Sequence, residues 1–231
     1  MRNHVIAIVS LVLMAPFSRA DSCSPEEAVK LLIHSPHGVS GLASKELRDT
    51  WEEMKRNPKP YLPALKAQIT MQRIEATTDN EQLRGILNAI NYLVLLGGDE
   101  GRNMLVARLK ELQQKRDVLS PELKARGRRL SSSTTPPSEW ESFKANVKGL
   151  KRLLSVESTI LDGFAQAGDL RLRDTVLPRL DDDKDMRDRY IEYFEATGRK
   201  DPVVRARLKK MLEAPASPST RQSLKHFFEE Q

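Results

Sequence analysis

The spacing of apolar residues along the chain predicts helices almost throughout. Apolar residues that recur by steps of three and four lie on one face of a helix. The clearest runs are Leu83, Ile86, Leu87, Ile90, Leu93 and Val94, then Val147, Leu150, Leu153 and Leu154, then Val204, Leu208, Met211 and Leu212. Alternating runs of β-branched and aromatic residues, which are typical of strands, are absent from the sequence. The pattern therefore predicts an all-α fold.

Residues that favour helix N-termini divide this pattern into short helices. Ser24, Ser120 and Asp201 each precede a proline, which is favoured at the first helical position. Thr78 and Glu81 fit a capping box, in which each side chain binds an amide near the other. The predicted helices lie near residues 25–34, 43–56, 60–76, 79–96, 99–116, 120–130, 138–154, 156–167, 169–181, 184–197, 201–213 and 218–230. Short helices joined by short turns are typical of a solenoid or a bundle.

The first twenty residues have the organisation of a bacterial-type secretory signal peptide. Arg2 precedes an apolar run at 5–14, and Ser18 and Ala20 supply small residues where a signal peptidase reads. The run is shorter than a membrane-spanning helix, which does not favour an uncleaved anchor. We expect cleavage near Ala20 and a periplasmic or secreted protein. Cys23 is the only cysteine, and the residues before it match a lipobox poorly, which does not favour a lipoprotein.

A polar stretch at 131–138, which reads SSSTTPPS, interrupts the helical pattern. It divides the rest of the chain into N-terminal helical repeats at 21–130 and C-terminal repeats at 139–231. The stretch can be a hinge or a loop inside one continuous stack, and the sequence leaves both interpretations open.

Three passages, at 95–109, 164–180 and 194–208, share one order of residues. Each has an apolar helix end, then a glycine, then an aspartate, and closes on Arg-Leu one helix later. The glycines and aspartates are Gly98 with Asp99, Gly168 with Asp169, and Gly198 with Asp201. A glycine past a helix end can adopt the left-handed conformation that closes the last carbonyls, and the aspartate can cap the next helix. We therefore predict structural caps at these six positions.

The third passage continues as Asp201-Pro202-Val203-Val204-Arg205. It resembles the second helix of a HEAT repeat, whose pattern is Asp-Pro-x-Val-Arg. The resemblance implies a right-handed α-solenoid of HEAT-like antiparallel helix pairs, and HEAT proteins commonly recognise other proteins. An irregular helical bundle remains the alternative.

Two groups of basic residues are candidate binding residues. Arg108, Arg179 and Arg207 close the three passages, and equivalent positions in a solenoid recur on one face. The other interpretation is that they are the polar flank of a buried leucine. A second cluster, beside the polar stretch, comprises Lys124, Arg126, Arg128 and Arg129. It can also be an ordinary basic helix C-terminus.

Charge restricts the partners. The chain has 38 lysines and arginines against 32 acidic residues. Loss of Arg2 and Arg19 with the signal peptide leaves +4, a mild excess that does not favour nucleic acid but leaves acidic proteins open as partners. No later apolar run reaches about 18 residues, so we predict no stable membrane insertion.

Motifs for catalysis or metal binding are weak. Gly97-Gly98-Asp99-Glu100 is similar to the signature of diguanylate cyclases and to phosphate-binding loops, but helical patterns flank it and no lysine with a hydroxyl residue follows. His34 and His37 lack further ligands, and the acidic run 181–185 lacks the glycine turn and final glutamate of a calcium loop. We predict no catalytic residue, metal site or cofactor.

We expect an exported, non-catalytic protein-binding scaffold or inhibitor or immunity partner; an unrecognised periplasmic enzyme or an accessory subunit of an envelope enzyme is the alternative.

Overall fold

The computed structural model describes residues 23–35, 44–130, 135–213 and 217–229, and its regular elements are all helical. The helices are α1 (Pro25–Ile33), α2 (Lys45–Arg56), α3 (Leu62–Gln68), α4 (Met71–Ala76), α5 (Asn80–Leu96), α6 (Gly98–Arg129), α7 (Pro137–Gln166), α8 (Arg173–Val176), α9 (Arg187–Thr197), α10 (Pro202–Glu213) and α11 (Pro218–Glu229). Single 3-10 turns lie at Lys59–Tyr61, Leu170–Leu172 and Leu177–Leu180. No strand occurs among the described residues, and the predicted all-α class is confirmed.

Two helices are about twice as long as predicted. α6 has 32 residues and α7 has 30, so the predicted breaks near 117–119 and at 155 are wrong. Ser120 is buried inside α6, and Pro121 follows it within the same helix. An interior proline costs about 3 kcal/mol, because its ring displaces a carbonyl and it lacks an amide donor. Burial of Leu112 and Leu123 on either side of this position offsets that cost.

Other segments are more divided than predicted. The expected helix at 60–76 consists of a 3-10 turn, α3 and α4, and Thr70 begins α4 by accepting a hydrogen bond from the amide of Arg73 at 3.3 Å. The expected helix at 169–181 is α8 between two 3-10 turns. At 78–81, Asp79 rather than Thr78 caps α5. The predicted start at Ser24 is confirmed, with a full capping box to Glu27.

The core is built around the C-terminal half of α7, which packs against α5, α6 and α9. Its inward residues continue the spacing of three and four that the sequence shows. They are Leu153, Val156, Ile160, Leu161 and Phe164. Buried apolar residues from both sides of 131–138 belong to one continuous cluster.

Several predicted features fall outside the described residues. These are the signal peptide at 1–20, His37, and residues 131–134 of the polar stretch. The second half of that stretch is described, and α7 already begins at Pro137. Of the helices that the structure describes, none has the length and apolar composition needed to cross a bilayer.

Candidate protein-binding surface

The aspartates of the three repeated passages lie at helix starts, but they do not all cap. The carboxylate of Asp201 accepts the amides of Val203 and Val204 at 2.9 and 3.0 Å, and that of Asp169 accepts the amide of Arg171 at 3.0 Å. Asp99 makes no side-chain cap to α6. Its carboxylate is exposed and accepts a hydrogen bond from Arg171 at 2.8 Å. A side-chain cap is therefore present at Asp201, at Asp169 for the 3-10 turn that follows it, and absent at Asp99.

The glycines of the three passages also differ from one another in backbone conformation. Gly98 and Gly168 have φ of +53° and +62°, the left-handed conformation expected after a helix end. Gly198 ends α9 with φ of −113°, so it closes the helix without the left-handed conformation. Its amide still binds the carbonyl of Phe194 at 2.7 Å.

Arginines join the three helix starts to one another. Arg171 bridges Asp99 and Asp169, with its Nε 2.9 Å from Asp169 Oδ2. Arg173 reaches Asp201 at 3.0 Å. Backbone hydrogen bonds, followed by the Arg173 contact, hold the pKa of Asp201 below its ordinary value. The starts of α6, α8 and α10 are thus connected by ion pairs along one edge of the molecule.

Each of the three arginines that close the passages is paired within the chain. Arg108 binds Glu111 and Arg207 binds Asp181. Arg179 binds Asp117 at 2.5 and 3.0 Å. All three lie beside buried leucines, at positions 109, 180 and 208. The structure favours the interpretation of these residues as polar flanks of the core.

The basic cluster lies at the C-terminal end of α6. Lys124 pairs with Asp185 at 3.1 Å, and Arg126 donates to the carbonyl of Glu139 at 3.2 Å. Arg128 donates to the carbonyl of Lys124 at 3.4 Å, and Arg129 is exposed. The cluster therefore remains on the surface, partly engaged with α7.

This end of α6 and the first half of α7 extend beyond the core. We call residues 120–130 and 135–152 the arm. Leu123 and Leu130 are buried in the arm, yet neither belongs to the core cluster. Gly127 permits close packing of the two helices, since a Cβ there would lie 3.3 Å from Phe143 Cζ. The arm is thus a helical hairpin with its own small apolar contact.

An open groove runs along the arm between α6 and α7. Its volume is about 710 Å³. Phe143, Val147 and Leu150 contribute its apolar floor and are only partly covered, although none of them packs against the core. Lys124, Arg128 and Lys151 stand at its rim together with one carboxylate, Asp185, which leaves a net charge of +2. The groove therefore combines apolar surface with positive charge.

The arm also carries the positive charge of the molecule. From 120 to 152 the sequence has eight bases and three acids, a net charge of +5. The rest of the chain after residue 20 has 28 bases and 29 acids, a net charge of −1. The sequence prediction named only the α6 part of this surface. Lys144, Lys148, Lys151 and Arg152 on α7 were missed, although their spacing of three and four already placed them on one helical face.

A buried ionic cluster lies at the base of the arm. Arg116 on α6 binds Glu157 on α7, with Nε 3.0 Å from Oε2, and binds Asp183 with Nη1 2.8 Å from Oδ1. The hydroxyl of Tyr190 on α9 lies 2.6 Å from Glu157 Oε1. Gln113 completes the cluster by donating to Glu157 at 3.1 Å. This cluster was not predicted from the sequence, although Glu157 interrupts the apolar face of α7 and so indicated a buried polar group there.

The ionisation of this cluster follows from burial and pairing. Burial raises the pKa of Tyr190, and the charge of Glu157 raises it further, so the hydroxyl stays protonated. Burial would also raise the pKa of Asp183, but the hydrogen bonds and charge of Arg116 outweigh it and lower the pKa. Each of these side chains is less than a tenth exposed. The cluster therefore fixes α6, α7 and α9 together, and Arg116 and Asp183 also line an open pocket of about 460 Å³.

The other candidates do not assemble into sites. The Nδ1 of His34 lies 3.5 Å from Glu81 Oε1, and Cys23 is an exposed free thiol. Members of the acidic run 181–185 bind Arg207, Arg116 and Lys124. Within the described residues, no group of three or more His, Cys, Asp or Glu side chains is arranged to hold a metal ion.

Comparisons with protein-family models, with curated proteins and with solved structures find no match for this chain.

Proposed function

We propose that this chain is an exported, non-catalytic protein-binding protein that acts through its arm. The observation that carries the proposal is the apolar groove with a basic rim, which lies outside the core. Phe143, Val147 and Leu150 leave apolar surface uncovered there. Apolar surface rimmed by polar groups marks interaction sites in soluble proteins.

The shape and chemistry of the groove favour an amphipathic helix as the bound element. Two packed helices leave a linear groove, and a helix buries its apolar side chains in such a groove at steps of three and four residues. The polar side of that helix would meet the rim formed by Lys124, Arg128 and Lys151. Glutamates and aspartates on the partner would therefore gain favourable contacts with the rim.

Charge complementarity selects an acidic partner. The arm has a net charge of +5, whereas the remainder of the chain is close to neutral. The rest of the chain after residue 20 has a net charge of only −1, so a second copy offers little net attraction to the arm, and two arms would repel each other. We therefore assign the groove to another protein with an acidic amphipathic helix, in the role of a scaffold, inhibitor or immunity partner.

Two further parts of the proposal concern organisation and location. HEAT-like stacking is proposed for the C-terminal helices, and the ion pairs that join the starts of α6, α8 and α10 support it. The lengths of α6 and α7 are the feature that a regular solenoid does not explain. Export is proposed from the pattern of residues 1–20.

The test uses a synthetic helical peptide with leucines at steps of three and four and glutamates elsewhere. Binding to the full chain after residue 20 is measured by fluorescence anisotropy. We expect K124Q/R128Q to raise the Kd by about tenfold and to reduce its dependence on salt, because rim charges contribute attraction that salt screens. Val147→Asn should also weaken binding, since it removes apolar floor.

The matched control is K209Q/K210Q, which removes two exposed lysines of α10 and should leave the Kd unchanged. A peptide of the same composition with scrambled leucine positions should bind weakly. Equal effects of the two double variants would refute the proposal. Tighter binding to anionic phosphatidylglycerol vesicles than to the peptide, or self-association through the groove, would also overturn it.

A further inference from the structure

A second open pocket lies on the neighbouring face of α7 and shares Lys151 with the groove. It faces the N-terminus of α5 and has a volume of about 510 Å³. Lys148, Lys151, Arg152 and Ser155 line it from α7, at steps of three and four residues. Thr78, Asp79 and Asn80 line it from the start of α5. Lys148 and Arg152 belong to this pocket and do not line the groove.

The three cations of this pocket lack carboxylate partners. Within the described part of the chain, none of Lys148, Lys151 and Arg152 forms an ion pair, whereas most arginines elsewhere in the molecule do. The Nε of Arg152 is buried and has no hydrogen-bond acceptor. A buried donor without an acceptor is unfavourable, so this guanidinium keeps hydrogen-bonding capacity that the chain does not use.

The facing surface adds little negative charge. Asp79 is the single carboxylate of the pocket, and it already accepts the amide of Gln82 at 2.8 Å. Three cations and one carboxylate give the pocket a net charge of +2. The start of α5 also lines this pocket, and the positive end of a helix dipole reinforces the positive potential.

We propose that this pocket binds a phosphate monoester. Such a group carries a charge of about −1.5 to −2 at neutral pH, which matches the charge of the pocket. The guanidinium of Arg152 offers paired donors suited to phosphate oxygens, and Lys148 and Lys151 add two point charges. The volume leaves room for an organic group beyond the phosphate. This site does not rest on the proposed function of the arm.

The test is a titration of the ¹⁵N-labelled chain with inorganic phosphate, compared with chloride at equal ionic strength. We expect amide shifts at residues 78–82 and 148–155 with phosphate and none with chloride. K148Q/R152Q should weaken phosphate binding by about tenfold, because it removes the fork-shaped donor and one of the two lysines. R152K should lose part of the affinity, since it keeps charge but removes paired donors.

Two control variants separate this site from the arm groove. K124Q/R128Q and K209Q/K210Q should leave the phosphate titration unchanged, and circular dichroism should show that every variant keeps its helix content. Equal shifts with chloride, which mean an adventitious ion only, would overturn the proposal. So would equal phosphate affinity for wild type and K148Q/R152Q.

Two further titrations identify the source of the phosphate group. Glycerol 3-phosphate represents a soluble ester, and phosphatidylcholine vesicles with and without phosphatidic acid represent a lipid headgroup. Competition of either one with inorganic phosphate supports the site and identifies its source. If neither competes, the pocket does not bind monoesters and the proposal fails.

Discussion

Aspartates that look equivalent in the sequence have different roles in the structure. The caps at Asp169 and Asp201 could be predicted because each binds amides within three residues of itself. The role of Asp99 could not, because its partner Arg171 is 72 positions away in the chain. A repeated motif therefore predicts local capping, whereas tertiary contacts decide which copy uses it.

Replacement of Asp201 by alanine should lower the free energy of unfolding by about 0.5–2 kcal/mol, since α10 loses its cap. Asp99→Ala should cost less, between zero and about 1 kcal/mol, because the carboxylate is exposed and only its pair with Arg171 is lost. Urea denaturation of both variants measures the difference. An Asp99 effect larger than the Asp201 effect would contradict the assignment of caps.

At the level of elements, the sequence predicted where helices occur better than where they end. The apolar spacing gave the helical character of α5, α7 and α10 correctly. The predicted break at Ser120-Pro121 failed because local cap signals were outweighed by burial of Leu112 and Leu123 on one continuous face. The arm could not be predicted, since nothing in the sequence indicates which helices pair.

Pro121 allows a direct test of the continuity of α6. Because an interior proline is unfavourable, Pro121→Ala should raise the free energy of unfolding by about 1 kcal/mol or more. Proline at the first position of α10 is favourable, so Pro202→Ala should be neutral or slightly destabilising. Both are measured by thermal and urea denaturation. Destabilisation by Pro121→Ala would indicate that a new helix begins there.

At the scale of the whole molecule, the buried ionic cluster and the charged arm are neighbours. The cluster joins α6, α7 and α9 at the point where the arm leaves the core, through Arg116, Glu157 and Tyr190. Composition predicted the mild positive charge but not its concentration in the arm, because that depends on the pairing of α6 with α7. The cluster thus fixes the base from which the arm extends.

Removal of Arg116 should be strongly destabilising. Arg116→Met leaves Glu157 and Asp183 buried without their common cation, which should cost about 3–5 kcal/mol in urea denaturation. The triple variant R116M/E157Q/D183N should regain part of this loss, because no uncompensated charge remains. Lys115→Met is the control, since Lys115 is exposed and pairs with Glu75 on the surface. A loss from Arg116→Met no greater than the control would show that the cluster does not hold the helices.

Acidification should weaken the same cluster. The folded state holds the pKa of Asp183 below its ordinary value, because hydrogen bonds and the charge of Arg116 outweigh burial. As the pH falls, Asp183 therefore takes up a proton at a higher pH in the unfolded state than in the folded state. The stability that its carboxylate contributes is present at neutral pH and is lost as the pH falls through the pKa of the folded state. The free energy of unfolding of the wild type should exceed that of Asp183→Asn at neutral pH. This difference in free energy should decrease progressively below about pH 5. Urea denaturation of both proteins across this range measures the gap. A gap that stays constant into strong acid would mean that Asp183 is not ionised in the folded protein, and its pairing with Arg116 would have to be revised.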